Sequence, residues 1–322
     1  MSEQLRFHLL GSSAKFLQTR AQIAKVAAVD ATVLITGETG TGKEMAARAI
    51  HYYGTRKDQP FIPVNCGAIP EALIESELFG HERGAFTDAK SASPGLVSEA
   101  DGGTLFLDEI DALSLKAQAA ILRFLQDNTY RRVGSGVQRQ ANVRIITASN
   151  ADFNRLITQR QFRSDLLYRI NVLTLHMPAL REREGDALEL AQVFLDRFSH
   201  QYRLPAKTLH PDAINHISKH QWPGNIRELE NVIHREFLMC EAAQIQFGPH
   251  AANTPIANQR IFKNAKASAI AEFEQAYLYK VLEQASGNLT QAARIAGQER
   301  SAFGKLVRKY GISPSTAITN EK

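Results

Sequence analysis

The 322-residue sequence contains only two cysteines, Cys66 and Cys240, and they are far apart in the chain. This excludes the disulfide framework of a small secreted protein and fits a reducing compartment. The sequence has no run near the roughly 18 consecutive apolar residues that a membrane span needs. Residues 1–10 also lack the basic and apolar segments of a signal peptide. We therefore expect a cytoplasmic protein without a membrane segment.

Charge is present in ordinary amount but unevenly distributed. Charged residues make up 22% of the chain, apolar residues 44%, and the net charge is +5. Residues 263–322 contain nine Lys or Arg and five Asp or Glu, a difference of +4. A basic terminal segment indicates a polyanionic partner. From charge alone, an ordinary solvated surface is an equally good interpretation.

Apolar runs and helical patterns alternate along the first half of the chain. The runs at 33–35, 61–64, 105–107 and 143–146 predict strands, and 46–53 and 115–125 predict helices. This alternation indicates an α/β fold with a doubly wound parallel sheet. We expect this subdomain over 1–177, a helical subdomain over 178–247, a linker over 248–266 and a small all-α domain over 267–322.

A glycine-rich loop follows the first predicted strand and precedes a helix, which is the setting of a phosphate-binding P-loop. The loop consists of Gly37, Glu38, Thr39, Gly40, Thr41, Gly42 and Lys43. Its backbone N–H groups and the helix N-terminus would surround phosphate oxygens, with Lys43 reaching the β- and γ-phosphates of ATP. Glu44 stands where a Mg²⁺-binding Ser or Thr is usual, so that ligand is missing.

Two acids end the third predicted strand, Asp108 and Glu109. The carboxyl edge of an open α/β sheet is where ligands bind. We predict that Asp108 holds Mg²⁺ and that Glu109 activates the attacking water. Alone, two adjacent acids are usually a solvated strand end, but the P-loop 65 residues upstream favours the catalytic interpretation.

The last part of the chain predicts two short helices separated by a turn at Gly297. Phe303, Leu306, Val307 and Tyr310 are spaced as one buried helical stripe. The other face of this second helix carries Arg300, Ser301, Lys305, Arg308 and Lys309. A basic second helix after a glycine turn is typical of a helix-turn-helix. From these residues alone, a helical hairpin used for dimerisation stays open.

Further motifs complete a recognisable set. They are VNC at 64–66, ESELFGHERGAFT at 75–87, FR at 162–163, YR at 168–169, LRER at 180–183 and WPGNIREL at 222–229. With the P-loop, in which Glu44 is also the family's residue, they resemble the bacterial enhancer-binding proteins from about residue 10 to 312. These are AAA+ ATPases that activate the sigma-54 form of RNA polymerase. The resemblance implies the same fold and activity, with ATP and Mg²⁺ as cofactors.

The resemblance also implies roles for single residues. Asn65 corresponds to the switch that holds Glu109 until the γ-phosphate is sensed, Asn150 to the first sensor and Arg227 to the second. Arg163 and Arg169 correspond to arginine fingers, which stabilise charge on the transferred phosphoryl group. In this family the fingers come from the neighbouring subunit, so the resemblance implies a homo-oligomeric ring, typically a hexamer. Outside these motifs, any one arginine would be read as a surface ion pair.

The loop Gly84, Ala85, Phe86, Thr87, Asp88 and Ala89 resembles the family's sigma-54 contact loop. Its glycine-flanked aromatic predicts an exposed contact at Phe86. Asp88 replaces the family's usual glycine and adds negative charge near the partner. Arg131 and Arg132 lie where the family has a second loop that transmits the nucleotide state.

The C-terminal helices resemble a Fis-type DNA-binding domain. This resemblance favours Arg300, Ser301 and Lys305 for base or groove contacts, and Arg294, Arg308 and Lys309 for phosphate contacts. We expect DNA, at an enhancer-like upstream site, as a partner. A helix over 270–284 would pair two such units, because helix-turn-helix proteins usually read paired half-sites.

Three functions are compatible with these observations. The first is an ATP-hydrolysing, DNA-binding activator that remodels the sigma-54 RNA polymerase holoenzyme. The second keeps ATPase and DNA binding but does not use sigma-54, because of Asp88. The third is an AAA+ protein unfoldase, against which the 84–89 loop and the basic C-terminal unit argue. The ATPase motifs begin near residue 10, so we expect no N-terminal sensory domain and control by a separate protein, unless the chain is a fragment.

Overall fold

The computed structural model describes residues 9–86, 89–247, 277–278, 281–282, 285, 288–298 and 300–309. The chain forms two units, Met1–Ala252 and Asn253–Lys322. Within the described residues, no helix has both the length and the apolar character that a bilayer crossing needs.

A five-stranded parallel sheet forms the centre of the first unit, which confirms the predicted α/β class. Its strands are β1 (Val33–Thr36), β2 (Phe61–Asn65), β3 (Thr104–Asp108), β6 (Arg144–Ser149) and β7 (Leu173–His176), in the order β2-β3-β6-β1-β7. Four of them match the predicted strands. The edge strand β7 was missed because only Leu175 of its four residues is fully buried, so it lacks a continuous apolar run.

Successive residues of β1 point to opposite faces of the sheet, as in any strand. Val33 and Ile35 pack in one apolar core, and Leu34 packs in the other. The helices that cover the two faces are α1 (Ala14–Ala27), α2 (Lys43–Tyr52), α3 (Ile74–Phe79), α4 (Leu96–Glu99), α5 (Leu115–Asp127), α6 (Phe153–Thr158) and α7 (Ser164–Ile170). Because both faces are covered, the apolar residues of β1, β2 and β3 follow one another in the sequence instead of alternating with polar ones.

A proline occupies the outer strand of this sheet. Pro63 lies in the middle of β2, opposite Phe106 of β3. The Pro60 carbonyl and the Cys66 N–H both bond to β3. Since alternate residues of a parallel strand face the same neighbour, the backbone nitrogen of Pro63 points to the free edge, where no hydrogen bond to the sheet is lost.

A short antiparallel hairpin follows α5, made by β4 (Thr129–Arg131) and β5 (Gln138–Gln140). Ser114 is the N-cap of α5, and its side chain accepts from the Ala117 N–H. At the other end, Asn128 adopts a left-handed conformation that ends the helix, with φ +54°. Helix α5 therefore runs directly from the region of Asp108 and Glu109 to the hairpin that carries Arg131.

The helical subdomain contains α8 (Asp186–Tyr202), α9 (Pro211–Lys219) and α10 (Asn225–Met239). Its core includes Phe194, Trp222 and Phe237. The sequence predicted only helices here. The structure adds two two-residue strands, β8 (Thr208–Leu209) and β9 (Gln244–Ile245), which pair in parallel. Strands of two residues are too short to produce an alternating pattern in the sequence.

In the second unit the described residues include the helices α11 (Leu289–Ile295) and α12 (Arg300–Lys309). Asn288 caps α11 by accepting from the Thr290 and Gln291 N–H groups. Gly297 has φ +64°, as the turn requires. Ala292, Ala293, Phe303 and Val307 form a core with Leu278, Val281, Leu282 and Ala285. Tyr310 and most of the helix predicted over 270–284 lie outside the described residues.

Candidate nucleotide-binding site

A cleft of about 430 Å³ lies at the carboxyl edge of the sheet, a volume suited to a small ligand. The sequence-predicted residues that line it are Thr39, Gly40, Thr41, Gly42, Lys43, Glu44, Asp108, Glu109, Asn150 and Arg227. Four separate segments of the first unit thus meet at one place. The remaining wall is largely apolar and includes Leu9, Phe16 and Phe194.

The P-loop connects β1 to α2 through glycines in conformations that L side chains rarely adopt. Gly40 has φ +79° and Gly42, at the N-terminus of α2, has φ +92°. The Lys43 ammonium donates to the carbonyls of Gly37 (2.9 Å) and Glu38 (3.1 Å). Burial lowers the pKa of Lys43, and the nearby Asp108 carboxylate opposes that shift. The loop therefore holds a partly desolvated positive charge where phosphate would bind.

The carboxylates of the two P-loop acids have partners outside the loop. Glu38 accepts from both terminal nitrogens of Arg181, at 2.8 and 2.6 Å. The bidentate Arg181 bond, assisted by Asn225, lowers the pKa of Glu38 from 4.5 to about 2. Glu44 accepts from Arg48, one turn further along α2. Because the Glu38 carboxylate is paired with Arg181, the predicted contact of Glu38 with nucleotide would be made by its backbone.

The P-loop is joined directly to the start of α10. Asn225 is fully buried, and its amide donates to Glu38 (3.1 Å) and to the Thr39 carbonyl (3.0 Å). The Ile226 N–H donates to the Gly40 carbonyl at 3.0 Å. A Cβ on Gly40 would lie only 2.2 Å from the Gly224 carbonyl oxygen. We call this set of contacts, in which the helical subdomain lies over the P-loop as a lid, the P-loop–lid seam.

Sequence reasoning placed Arg181 and Asn225 inside motifs but gave them no role. The sequence carries a signal, because both lie within motifs that were singled out. Their partners, however, are more than 140 positions away along the chain. Contacts between segments this distant cannot be read from local pattern.

The start of the first unit is also fixed beside the cleft. The buried Asp186 carboxylate accepts from the N–H groups of Ser12 (2.9 Å) and Ser13 (2.8 Å) and from Arg183 (2.8 Å). Arg183 in turn donates to the Leu10 carbonyl at 2.6 Å. This paired, buried charge holds the segment that carries the cleft-lining Leu9 and Leu10 against α8.

Glu109 has a left-handed backbone with φ +54°, which is uncommon for a residue with a side chain. Its carboxylate lies beside Gly67, where an added Cβ would come within 2.3 Å of Oε2. Asn65 Oδ1 accepts from the N–H groups of Gly67 (2.9 Å) and Ala68 (3.2 Å). Asn65 and Glu109, both described, make no hydrogen bond to each other, but both lie next to Gly67. Gly67 was missed because a single glycine outside a motif carries no sequence signal.

The first-sensor candidate reaches the P-loop. Asn150 follows β6, and its amide donates to Thr39 Oγ1 at 2.8 Å. The preceding Ser149 donates to Asp111 Oδ1 at 2.5 Å. Asp111 belongs to a 3-10 turn, Ile110–Ala112, that begins directly after Glu109. The ends of β3 and β6 are thereby linked through side chains.

The two finger candidates do not line this cleft. Arg163 is exposed and pairs with Asp165 at 2.7 Å, a bond that raises the pKa of the arginine. Arg169 donates through two nitrogens to the Leu125 carbonyl, at 3.0 and 2.7 Å. The cleft of one chain therefore contains the lysine and the acids but neither of these arginines.

Phe86 is half-buried, with its ring 5.0 Å from the ring of His81. The prediction of an exposed aromatic is therefore corrected: the neighbouring imidazole covers part of it. The Gly84 N–H donates to the Ala89 carbonyl at 2.9 Å and closes the loop. Thr87 and Asp88 lie outside the described residues.

The base of this loop contacts the β4–β5 hairpin. The Glu82 carboxylate pairs with the Arg132 guanidinium at 3.4 Å, and the Glu82 N–H donates to the Val133 carbonyl at 3.0 Å. The two loops that the sequence singled out are therefore in contact.

In the second unit Arg294, Arg300, Ser301 and Lys305 are exposed, while Phe303 and Val307 are buried. The charged and apolar faces of α12 are therefore separated as predicted. The side chains of Arg308 and Lys309 lie outside the described residues.

Comparison with protein families identifies the first unit. The family model described as the sigma-54 interaction domain matches residues 9–176, and one described as the AAA+ ATPase lid domain matches residues 181–251. The chain belongs to the sigma-54 activator family. The sheet with its cleft is thus the ATPase part of an AAA+ module, and the helical subdomain is its lid.

Curated relatives of this sigma-54 activator include two regulatory proteins. AlgB of Pseudomonas aeruginosa is 43% identical over 302 residues, covering 93% of this chain and 66% of its own. AtoC of Escherichia coli is 41% identical over 317 residues, covering 96% and 68%. The chain therefore spans about two thirds of the length of these relatives.

Solved structures agree with this assignment. NtrX from Brucella abortus in complex with ADP has a TM-score of 0.76 and 32% identity, covering 95% of this chain and 69% of its own. NtrX has also been solved with ATP, with a TM-score of 0.75. A complex of Hsp104 has a TM-score of 0.51 at 17% identity over 73% of this chain and 45% of its own, a likeness that shows the fold alone.

Proposed function

We propose that this sigma-54 activator hydrolyses ATP to ADP and phosphate in a homo-oligomeric ring, taken to be a hexamer. It uses that reaction to remodel the sigma-54 RNA polymerase holoenzyme while bound to an enhancer-like DNA site. One observation carries the proposal: Lys43, Asp108, Glu109 and Arg227 line one cleft, and neither Arg163 nor Arg169 of the same chain lines it. The DNA and polymerase partners would place the activity in the cytoplasm.

Within one subunit, the P-loop amides and Lys43 bind the phosphates of ATP, with Asn150 and Arg227 at the cleft wall sensing the terminal phosphate. Asp108 fits a Mg²⁺ ion, because Mg²⁺ in such sites takes one or two carboxylates together with substrate phosphates and water. The ion would neutralise charge between the β- and γ-phosphates. Glu109 orients water and accepts its proton. Asn65 acts on Glu109 through the Gly67 segment that both contact.

The missing positive charge comes from a neighbour. Arg163 and Arg169 lie outside the cleft of their own chain, and Arg163 is exposed. An arginine finger supplied in trans typically accelerates phosphoryl transfer by about 10³–10⁵-fold. Catalysis in this protein would then require assembly.

The loop from Gly84 to Ala89 contacts sigma-54, and its link through Glu82 to the β4–β5 hairpin supports movement of both loops together. Asp88 supports a second candidate, a DNA-binding ATPase that regulates another polymerase form. We would measure binding of purified sigma-54 in the presence of an ATP transition-state mimic, for the natural chain and for Asp88→Gly. Nucleotide-dependent binding by the natural chain supports the first candidate, and binding by Asp88→Gly alone supports the second.

Helix α12 would read DNA through Arg300, Ser301 and Lys305, with Arg294, Arg308 and Lys309 on phosphates. We propose that a separate regulatory protein controls the activity.

The ATPase proposal is tested by Glu109→Gln. This variant should bind ATP as the natural protein does but hydrolyse it very slowly, because the water loses its base. ATP affinity and phosphate release are measured side by side, with the surface substitution Gln192→Met as control. Normal turnover in Glu109→Gln would remove this residue from the catalytic role.

A further inference from the structure

A buried glutamine on α5 connects the segment after Glu109 to one of the finger candidates. The Gln118 amide nitrogen donates to the carbonyls of Leu113 (2.8 Å) and Gln161 (2.9 Å). Its oxygen accepts from the Arg163 N–H at 2.9 Å. The residue is fully buried, although glutamine is mostly exposed in proteins.

Both hydrogens of the Gln118 amide nitrogen have a backbone partner, and so does the amide oxygen. The side chain is therefore a complete buried polar bridge. Its partners belong to two stretches of chain, at Leu113 and at 161–163, that are distant in the sequence. No other residue type of this length offers two donors and an acceptor in one plane. A purely space-filling role would not need this chemistry.

The bridge leads from the acid pair to the finger. The Glu109 carbonyl accepts from the Ala112 N–H at 2.9 Å, so the turn that ends at Leu113 begins at the proposed base. At the other end, Arg163 is the residue from which α7 starts. Gln118 therefore holds the backbone of Arg163 in register with the turn after Glu109 of the same chain.

We propose that Gln118 is a positioning residue for the Arg163 finger, which a subunit presents to the active site of its neighbour. This rests on the proposed function, in which Arg163 acts in trans. Loss of Gln118 should therefore impair ATP turnover in the active site of the next subunit and not in its own.

The first test replaces Gln118 with methionine, which has similar length but cannot hydrogen-bond in this way. We expect kcat for ATP to fall roughly 10- to 100-fold, because a small misplacement of a catalytic group has effects of this size. The ATP dissociation constant should stay unchanged, since no contact in the cleft is lost. The matched control is Gln192→Met, which removes an exposed glutamine bond to Asp196 on α8 and should leave kcat unchanged.

Mixed rings show which subunit is impaired. Gln118→Met chains are mixed with Glu109→Gln chains, which lack the base but keep a normal finger. ATP turnover should reappear, because Gln118→Met active sites then receive a well-placed Arg163. Mixing with Arg163→Ala chains should restore nothing, since neither partner offers a working finger.

Opposite results overturn the proposal. If Arg163→Ala chains restore turnover and Glu109→Gln chains do not, Gln118 supports its own chain's base. If neither mixture recovers, Gln118 has only a general structural role, and a loss of ATP binding by Gln118→Met leads to the same conclusion.

A mixture of Glu109→Gln with Arg163→Ala chains tests the shared active site itself. If that mixture stays inactive, or if Arg163→Ala alone retains turnover, the trans finger is wrong whatever Gln118 does. If turnover recovers in that mixture but not in the mixture of Glu109→Gln with Gln118→Met chains, only the positioning role of Gln118 is wrong.

Discussion

At the scale of single residues, the candidate base depends on a neighbour without a side chain. Glu109 has an uncommon left-handed backbone, and such strain is concentrated at functional sites. Its carboxylate occupies space that any β-carbon on Gly67 would take. The position of the base is therefore determined jointly by its own backbone and by the segment after Asn65.

Gly67→Ala should displace the Glu109 carboxylate and lower kcat for ATP by roughly 10- to 100-fold. ATP binding should be unaffected, because the P-loop contacts remain. The measurement is steady-state hydrolysis together with nucleotide affinity. Gly136→Ala serves as control, since a Cβ there meets nothing within 4 Å. Unchanged kcat in Gly67→Ala would show that Glu109 can act from another position.

Glu38 adds a pH dependence to stability. Its pKa is lowered from 4.5 to about 2, chiefly by the bond to Arg181. A carboxyl with a lowered pKa stabilises the fold above the unfolded-state value, and that contribution is lost as pH falls toward the folded-state value. The natural protein should therefore be more stable than Glu38→Gln near neutral pH, and the gap should narrow below about pH 4.5. Denaturant unfolding across this range measures it, and a gap of constant size would argue against the ion pair as its source.

At the scale of elements, the P-loop–lid seam makes the phosphate-binding loop and the start of α10 one continuous hydrogen-bonded structure. The Gly40 carbonyl and the Asn225 amide cross from one subdomain to the other. We therefore expect a change at the phosphates to be transmitted to the lid through these contacts as well as through Arg227.

Two P-loop glycines allow the seam to be tested with a matched pair. Both have positive φ, so alanine at either should cost about 1–2 kcal/mol for its backbone. At Gly42 the added Cβ meets only Ile226, at 4.0 Å, whereas at Gly40 it collides with Gly224. We expect Gly40→Ala to be a further 1–3 kcal/mol less stable, about the cost of overpacking. Equal unfolding free energies for the two variants would mean that the seam opens without cost.

Local pattern in the sequence predicted the elements well where apolar runs were long, as in β1 and β6. It failed at β7 and at the two-residue strands, where burial is set by distant neighbours. It also found the lysine, the acids and Asn150, because each follows a strand. It could not find the contacts of Gln118, Gly67 or Asn225, because only folding creates them.

At the scale of the whole molecule, charge and catalysis are assigned to different parts of the chain. Most of the excess positive charge lies in the last sixty residues, where Arg300 and Lys305 are exposed. The ATPase motifs all lie in the first unit. DNA binding and hydrolysis should therefore be separable by substitution.

Substitutions of the proposed DNA-binding residues should have two kinds of effect on DNA affinity. Arg294→Ala should weaken binding to all sequences alike and reduce the slope of log K against log salt by about one. Arg300→Ala should cost about 1–3 kcal/mol at the specific site and less elsewhere. Binding to specific and random duplexes over a range of salt concentrations measures both. Loss of ATPase activity in either variant would contradict the separation.

The proline on the edge strand β2 has a consequence for the ring assembly that we propose. An open sheet edge with free N–H groups invites pairing with another chain and uncontrolled aggregation. Pro63 removes a donor from that edge without weakening the pairing of β2 with β3. Subunits can then lie close together without pairing through this sheet edge, so self-association is confined to other surfaces.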